Sequence, residues 1–447
     1  MRNQPSVQHT ADARRELGRS ARRKVGRSAH AEWDPSKRSH DAIDVILAST
    51  YGRVPELIPI KMARMAVSPF GFFRGSVPLM AADLAIYPTT GIEVQICGDA
   101  HVRNLGAFAG PDGRLIFDVN DFDETIRGPW EWDVKRLAAS LVLAGREAPN
   151  SDPVCQDAVR EFVSTYRRLL LSFSQMAAVD VARYRVHRPF KGVAGVAVLQ
   201  KAERCTAVHS LDRLTVARRN GTRVFNEMKP LLTHPPKAVA REVLKALPSY
   251  RETLPPERRT VFDLYTAADV AFKVVGTGSV GTRSYVILFF GNGPADAMFL
   301  QLKEEPPSAY SSYLKPGEEN MNQGERVVMG QRRMQTHSDI LLGWTSFGGR
   351  DYLVRQLADH KASIENEDLL GKGLIHYARL CGEVLAKGHA RSGDACVLAG
   401  YLGSGKSFDR AIEKFAVQYA DQATKDYETF RAAIRRGRIK AAKSPYL

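Results

Sequence analysis

Asp99 and Asn104 stand five positions apart in Cys97-Gly98-Asp99-Ala100-His101-Val102-Arg103-Asn104, and a second acidic tract, Asn120-Asp121-Phe122-Asp123-Glu124, follows about one hairpin later. A carboxylate free to take a hydroxyl proton, beside an amide oxygen and a further carboxylate, is the donor set that phosphoryl transfer requires. The first group serves as base and the others as hard oxygen ligands for Mg²⁺. In this reading Asp99 is the base, and Asn104 and Asp121 hold the metal. Asp123 or Asp118 can substitute for Asp121, because the tract offers several carboxylates. The plainer reading is a pair of Asx-rich turns with a helix cap. His101 serves equally well as a phosphate contact or as a solvated loop histidine.

A second set of residues lies about 180 positions downstream. Gly276-x-Gly278-Ser279-x-Gly281 fits the G-x-G-x-x-G pattern, which alone is weak in a chain with 35 glycines. A dinucleotide fingerprint must open a helix. Here the segment after the last glycine, Ser284-Tyr285-Val286-Ile287-Leu288-Phe289-Phe290, is aromatic and β-branched, so strand–glycines–strand is expected, with backbone amides covering phosphates; an ordinary β-turn is the alternative. Lys303, in Phe299-Leu300-Gln301-Leu302-Lys303-Glu304, shares its strand face with Gln301 and is expected to neutralise phosphate. Glu325, at the start of a helix, is its candidate carboxylate partner, or else an ordinary first-turn glutamate. Arg355-Gln356-Leu357, after a hairpin with a Gly348-Gly349 turn, is placed to meet an adenine through the backbone near Gln356.

Three further groups need weighing. His389-Ala390-Arg391-Ser392-Gly393-Asp394 ends a long helix and rivals the first loop. It has Ala399 where the Asn should stand, and no acidic tract follows. Asp133, in Trp130-Glu131-Trp132-Asp133, is expected to tie down loop amides rather than to react. Arg74, in Phe72-Phe73-Arg74-Gly75, is either an anion contact or a snorkelling cation on a buried aromatic anchor.

Positioning these residues takes a strand over 91–97, a hairpin over Leu105 to Val119 turning at Pro111-Asp112-Gly113, and a helix from Trp130 with Val134, Leu137, Leu141 and Ala144 on one face. Residues 153–250 read as mostly helical. Strands dominate from about 260 to 357, and long helices cover Leu369–His389 and Phe408–Ile434. The expected division is a basic flexible leader over 1–40, a helix-rich lobe with the catalytic and metal loops over 41–255, a nucleotide-gripping antiparallel-sheet lobe over 256–360, and C-terminal helices over 361–447 that pack on the large lobe. The formal charge of +15 concentrates at the ends, with +6 in residues 1–40 and +6 in 431–447. The body is therefore no basic groove, and nucleic acid is not an expected partner beyond weak contacts by the tails. Five scattered cysteines without CxxC spacing, no signal-like segment and no apolar run of membrane length point to a reducing cytoplasm.

The motifs Phe72-Phe73-Arg74-Gly75, Gly98-Asp99-Ala100-His101-x-x-Asn104, Asn120-Asp121-Phe122-Asp123-Glu124 and Trp130-Glu131-Trp132-Asp133-x-Lys135-Arg136-Leu137-Ala138 closely resemble those of the bacterial domain-of-unknown-function 2252 family. The resemblance extends over about residues 45–430. It implies a family and no activity. More distantly, Gly98–Asn104, Asp121-Phe122 and the Trp132–Ala138 helix are similar to the aminoglycoside phosphotransferase and choline kinase branch of the protein kinase-like fold. That resemblance implies an α+β, two-lobe fold with the lobes in permuted order, and ATP and Mg²⁺ as cofactors. The acceptor would be a hydroxyl of an unknown small molecule. A nucleotide-binding regulatory protein without transfer activity and a metal-dependent phosphoesterase are the alternatives.

Overall fold

Apolar side chains collect around two main centres, and the chemistry-bearing loops lie between them. The computed structural model describes residues 10–109, 115–186, 207–218, 222–274, 276, 278–315, 321–357, 362–364 and 367–444. In the first centre the helix Trp130–Glu147 is buried along its whole length from Trp130 to Gly145. Its apolar face was expected to be one stripe, but the helix is enclosed on every side. Helices Asp152–Phe173, Lys372–Ser392 and Ser407–Arg435 pack against it, and Trp130 is stacked on Tyr166.

The second centre is a six-stranded antiparallel sheet. Its strands run in the order Gly343–Phe347, Arg350–Gln356, Ala297–Glu304, Ser284–Phe290, Thr266–Lys273 and Leu232–Thr233. Tyr285, Ile287, Leu300, Leu302, Tyr352 and Val354 point from one face into Val243, Tyr250, Leu254 and Phe262 of three short helices between 237 and 262. On the other face Ala271, Val286, Leu288 and Phe299 meet Leu211, Leu214 and Phe225. The mixed α+β class agrees with the sequence reading.

The lobe boundary differs from expectation. The segments 207–218 and 222–262 belong with the sheet, because the apolar faces of their helices are buried on it. A helical pattern reports amphipathicity, not which core the apolar stripe joins. Helix Gln323–Met334 lies between the two centres, packed on strand Arg350–Gln356 and on Lys372–Ser392.

The N-terminal segment also differs from a flexible leader. Helix Ala11–Ala21 docks on helix Ala395–Leu402 so closely that a Cβ on Gly18 would stand 1.9 Å from the Val397 carbonyl oxygen. Its arginines find the unpaired carbonyls at that helix's C-terminus. Arg22 Nε donates to Tyr401 O at 2.8 Å and Arg27 Nη1 to Leu402 O at 2.7 Å, an interaction the helix dipole favours. Arg38 is nearly buried between Asp83 and Asp426. The basic run is therefore a set of clamps.

Candidate active site

The two strands of the expected hairpin pair antiparallel, with Leu105 opposite Val119 and Ala109 opposite Leu115; the Pro111-Asp112-Gly113 turn lies outside the described residues. Asn120 N consequently donates to Asn104 O at 2.9 Å. The Asn104 amide bridges the two loops, with Nδ2 donating to Asp99 O at 3.0 Å and to Asp121 O at 2.9 Å. This leaves Oδ1 of that buried side chain as the ligand atom available to a cation. Gly98 has φ +78°, and a Cβ there would lie 2.2 Å from Glu124 O, so only glycine lets the loops approach this closely.

Asp133 plays the expected structural part. Its two oxygens accept from Cys97 N at 2.8 Å and Gly98 N at 2.9 Å, and His389 Nε2 stands 3.3 Å behind it. His389 is thus buried support, and Asp394 caps helix Ala395–Leu402 through Cys396 N at 2.8 Å. The rival loop is scaffold.

Asp99 Oδ1 accepts from Arg136 Nε at 2.9 Å and Nη2 at 2.6 Å, while Oδ2 lies 3.5 Å from His101 Nε2. Burial works against the charge, but His101 and then Arg136 outweigh it and hold this carboxyl well below the usual carboxylate range. His101 is itself pushed down by burial, against the pull of Asp99. Asp99 is therefore an ionised group with one oxygen committed to Arg136 and the other beside His101 at the cavity wall.

The glycine segment joins strands Thr266–Lys273 and Ser284–Phe290, which pair antiparallel, so it is a strand–turn–strand loop and opens no helix. Gly281 has φ +96°. The loop is pinned from the other lobe, with Val54 N donating to Gly281 O at 2.7 Å and Arg53 Nη1 to Val280 O at 2.7 Å. Ser279 Oγ donates to Asp123 Oδ2 at 2.7 Å.

Lys303, on the strand Ala297–Glu304, brings the halves together. Its Nζ lies 3.4 Å from Asp121 Oδ1 and contacts both Asp123 oxygens still more closely. Burial disfavours the ammonium, but Asp121 and Asp123 overcome this and raise its pKa. Asp123 is pushed up by burial and by the charge of Asp121, against the pull of Lys303. Asp121 and Asp123 are close enough to repel each other, which a divalent cation as well as an ammonium relieves. Mg²⁺ needs only one or two carboxylates when phosphate supplies further oxygens, and Asp121, Asp123 and the Asn104 Oδ1 fit that requirement. Among the described residues no group of three or more His, Cys, Asp or Glu is arranged to hold a metal by itself.

Three expected residues are placed otherwise. Glu325 makes no ion pair with Lys303. It sits half-buried in the first turn of its helix, its amide capped by Asn322 Oδ1 at 3.0 Å, while the inward face of that helix presents Arg326 to Thr125 O. Gln356 does not line the cavity: its amide donates to Asp339 Oδ2 at 2.5 Å, and Leu357 N to Phe299 O at 2.8 Å. Asp118 is turned inward onto buried Lys387, so it cannot stand in for Asp121. A carboxylate the sequence reading did not single out, Glu305, lies two positions past Lys303. It is 3% exposed and neither oxygen is hydrogen-bonded. Burial and the charge of Asp123 raise its pKa well above the usual range.

The two acidic loops, the glycine segment and Lys303 surround one cavity of about 530 Å³, within the range of small-ligand sites. Besides Asp99, His101, Asn104, Asp121, Asp123, Gly276, Gly278, Ser279 and Lys303 it is lined by Arg53, Lys61, Arg74, Arg103, Lys273 and Arg355. Lys61 is 2% exposed, and its partners among the described residues are Gly75 O at 3.4 Å and Gly278 O at 3.3 Å. Its sequence signal was available: a lone lysine in the apolar run Leu57-Ile58-Pro59-Ile60-Lys61-Met62.

A family model described as an uncharacterised protein conserved in bacteria, DUF2252, matches residues 53–433, and the chain belongs to that family. No curated protein and no solved structure matches the chain.

Proposed function

We propose that this member of the DUF2252 family is an ATP- and Mg²⁺-dependent phosphotransferase with a kinase-like site in permuted order. The observation that carries the reading is the 3.4 Å approach of Lys303 to Asp121, with Asp123 beside it. It brings a metal-type acidic loop and a lysine behind a glycine hairpin into one cavity, from 182 positions apart in the chain.

Mg·ATP, when bound, supplies the transferable phosphoryl group and the charge that activates it. The chain's own part is to bind, orient and move a proton. Asp121, Asp123 and Asn104 hold the cation, which frees the Lys303 ammonium to turn to phosphate oxygens. Gly276, Gly278, Ser279 and Gly281 cover the phosphates. The acceptor hydroxyl lies against Asp99 Oδ2. Its oxygen forms the new bond to phosphorus as the bond to the nucleoside diphosphate breaks, and its proton passes to Asp99. A carboxylate held so acidic is a weak base, which suits a loose transition state in which the proton leaves late. The preference over a metal-dependent phosphoesterase rests on Lys303 and the glycine loop, which line the same cavity and would have no part in metal-dependent hydrolysis.

The test is thermal stabilisation by ATP. Millimolar ATP with Mg²⁺ is expected to raise the melting temperature of the wild-type protein, and omission of Mg²⁺ or Lys303→Ala to abolish the rise. No shift with wild type would refute nucleotide binding. ATP turnover that survives Asp99→Ala would remove Asp99 as the base, and binding without turnover would favour the regulatory alternative.

A further inference from the structure

The cavity holds more cationic groups than its carboxylates pair. Arg53, Lys61, Arg74, Lys273 and Arg355 all line it, and none forms an ion pair among the described residues. They divide by position. Lys273 and Arg355 are on the sheet with Lys303, where donor phosphates would lie. Lys61 and Arg74 come from the helices Ile58–Met65 and Pro69–Gly75 on the other side. Arg74 immediately follows Phe73, whose carbonyl accepts from the same Arg136 that holds Asp99, at 3.1 Å. Arg74 is therefore beside the proposed base.

Among the described residues neither is paired with a carboxylate. The Arg74 guanidinium has no hydrogen bond or ion pair among the described residues, and its Nε is buried without a partner there. Lys61 is enclosed with two long contacts to carbonyl oxygens. Burial lowers the pKa of each, as is expected of cations left without an anion. An unpaired buried cation is costly to a fold, and a ligand anion is what removes the cost. A cationic acceptor such as an aminoglycoside or choline would meet like charge here.

We infer that the acceptor is itself an anion: a small hydroxylated molecule carrying a phosphate or carboxylate that Arg74 and Lys61 hold while its hydroxyl faces Asp99. This rests on the phosphotransferase reading and adds the acceptor's charge class to it.

Isothermal titration of the full chain loaded with Mg²⁺ and a non-hydrolysable ATP analogue tests the inference, with inorganic phosphate, acetate and choline as probes. Phosphate or acetate is expected to bind at least about ten-fold more tightly than choline, and the tighter of the two identifies the anion's chemistry. Arg74→Ala should weaken that anion about ten-fold or more while the affinity for the nucleotide analogue changes less than about two-fold; Arg74→Lys, which keeps the charge, should retain part of the binding. Choline binding as well as the anions, no anion binding to the loaded protein, or anion binding unchanged in Arg74→Ala would overturn it. Failure of the analogue to bind wild type is a separate result: it refutes the nucleotide reading, and the acceptor inference falls with it.

Discussion

Replacing Lys303 by methionine keeps most of the side-chain volume and removes a cation that contacts both Asp121 and Asp123. At 3.4 Å and an effective dielectric near 20, one ammonium–carboxylate contact is worth about 5 kcal/mol before screening. The Asp121 side chain is 39% exposed, so most of that value is lost to water there; Asp123, at 19%, dominates. Removing one partner of a buried pair costs about 3–5 kcal/mol. The cost has a ceiling, because Asp123 can take up a proton instead. Protonating a carboxyl of ordinary pKa at pH 7 costs about 4 kcal/mol. A destabilisation of about 3–4 kcal/mol in EDTA is therefore expected from denaturant titration. The variant should also gain stability as pH falls from 8 toward 5, because its folded state, with Asp123 raised, binds the extra proton. Mg²⁺ at a hundred times its dissociation constant should return about 2.7 kcal/mol to the variant, and less to wild type, where the lysine competes for the same oxygens. Wild-type stability of the variant in EDTA, or an equal Mg²⁺ response in both proteins, would refute the assignment of Lys303 as a stand-in cation.

Other perturbations bear on separate parts of the structure. Asp133→Ala leaves the Cys97 and Gly98 amides without their acceptor, so a loss of about 2–4 kcal/mol by denaturant titration is expected; a loss below about 0.5 kcal/mol would contradict it. Gly281→Ala forces φ +96° on a residue with a Cβ that would meet Arg53 Cβ at 3.0 Å, so ATP-induced stabilisation should drop while Gly276→Ala, whose Cβ meets nothing, should retain it. His30, 2% exposed among Trp130, Tyr401 and Phe408, is pushed down to about 3 by burial. Below its unfolded value of about 6.5 only the unfolded chain takes up this proton, so each further pH unit should cost about 1.4 kcal/mol until the pH reaches about 3. In His30→Phe the stability profile between pH 6.5 and 4 should be flatter by that slope, and an unchanged profile would exclude the effect.

Local chemistry made much of this molecule legible in its sequence. The hairpin followed from two short strand-like runs around a Pro-Asp-Gly turn, the strand–glycine–strand loop from β-branched and aromatic residues after Gly281, and the amide-binding part of Asp133 from its place at a helix start. What was not legible depended on which surfaces meet. Glu325 was matched to Lys303 by position, but helical phase turns Arg326 inward, and the neighbouring carboxylates are Asp121, Asp123 and Glu305. The Gln356 backbone amide is taken by Asp339, a partner 17 positions away in the chain. Lys61, a lone lysine in an apolar run, and Arg74, read as an anion contact or a snorkelling cation, carried a local signal. The packing of their helices over the glycine loop, which brings both into one cavity, left none. The arginines of residues 10–40 read as a solvated tail because nothing nearby in sequence reveals the helix end they cap.

The two apolar centres have a consequence for the order in which the chain can fold during synthesis. The core around Trp130–Glu147 needs Asp152–Phe173 from the first half and Lys372–Ser392 and Ser407–Arg435 from the last. The sheet and its helices draw on residues 211–354. At about 5–20 residues per second, the sheet lobe can complete itself on the ribosome while the helices on either side of it in sequence still lack their partners. The sheet lobe is therefore expected to gain protease resistance first in arrested nascent chains, with the core around Trp130 following only after the helix Ser407–Arg435 has emerged.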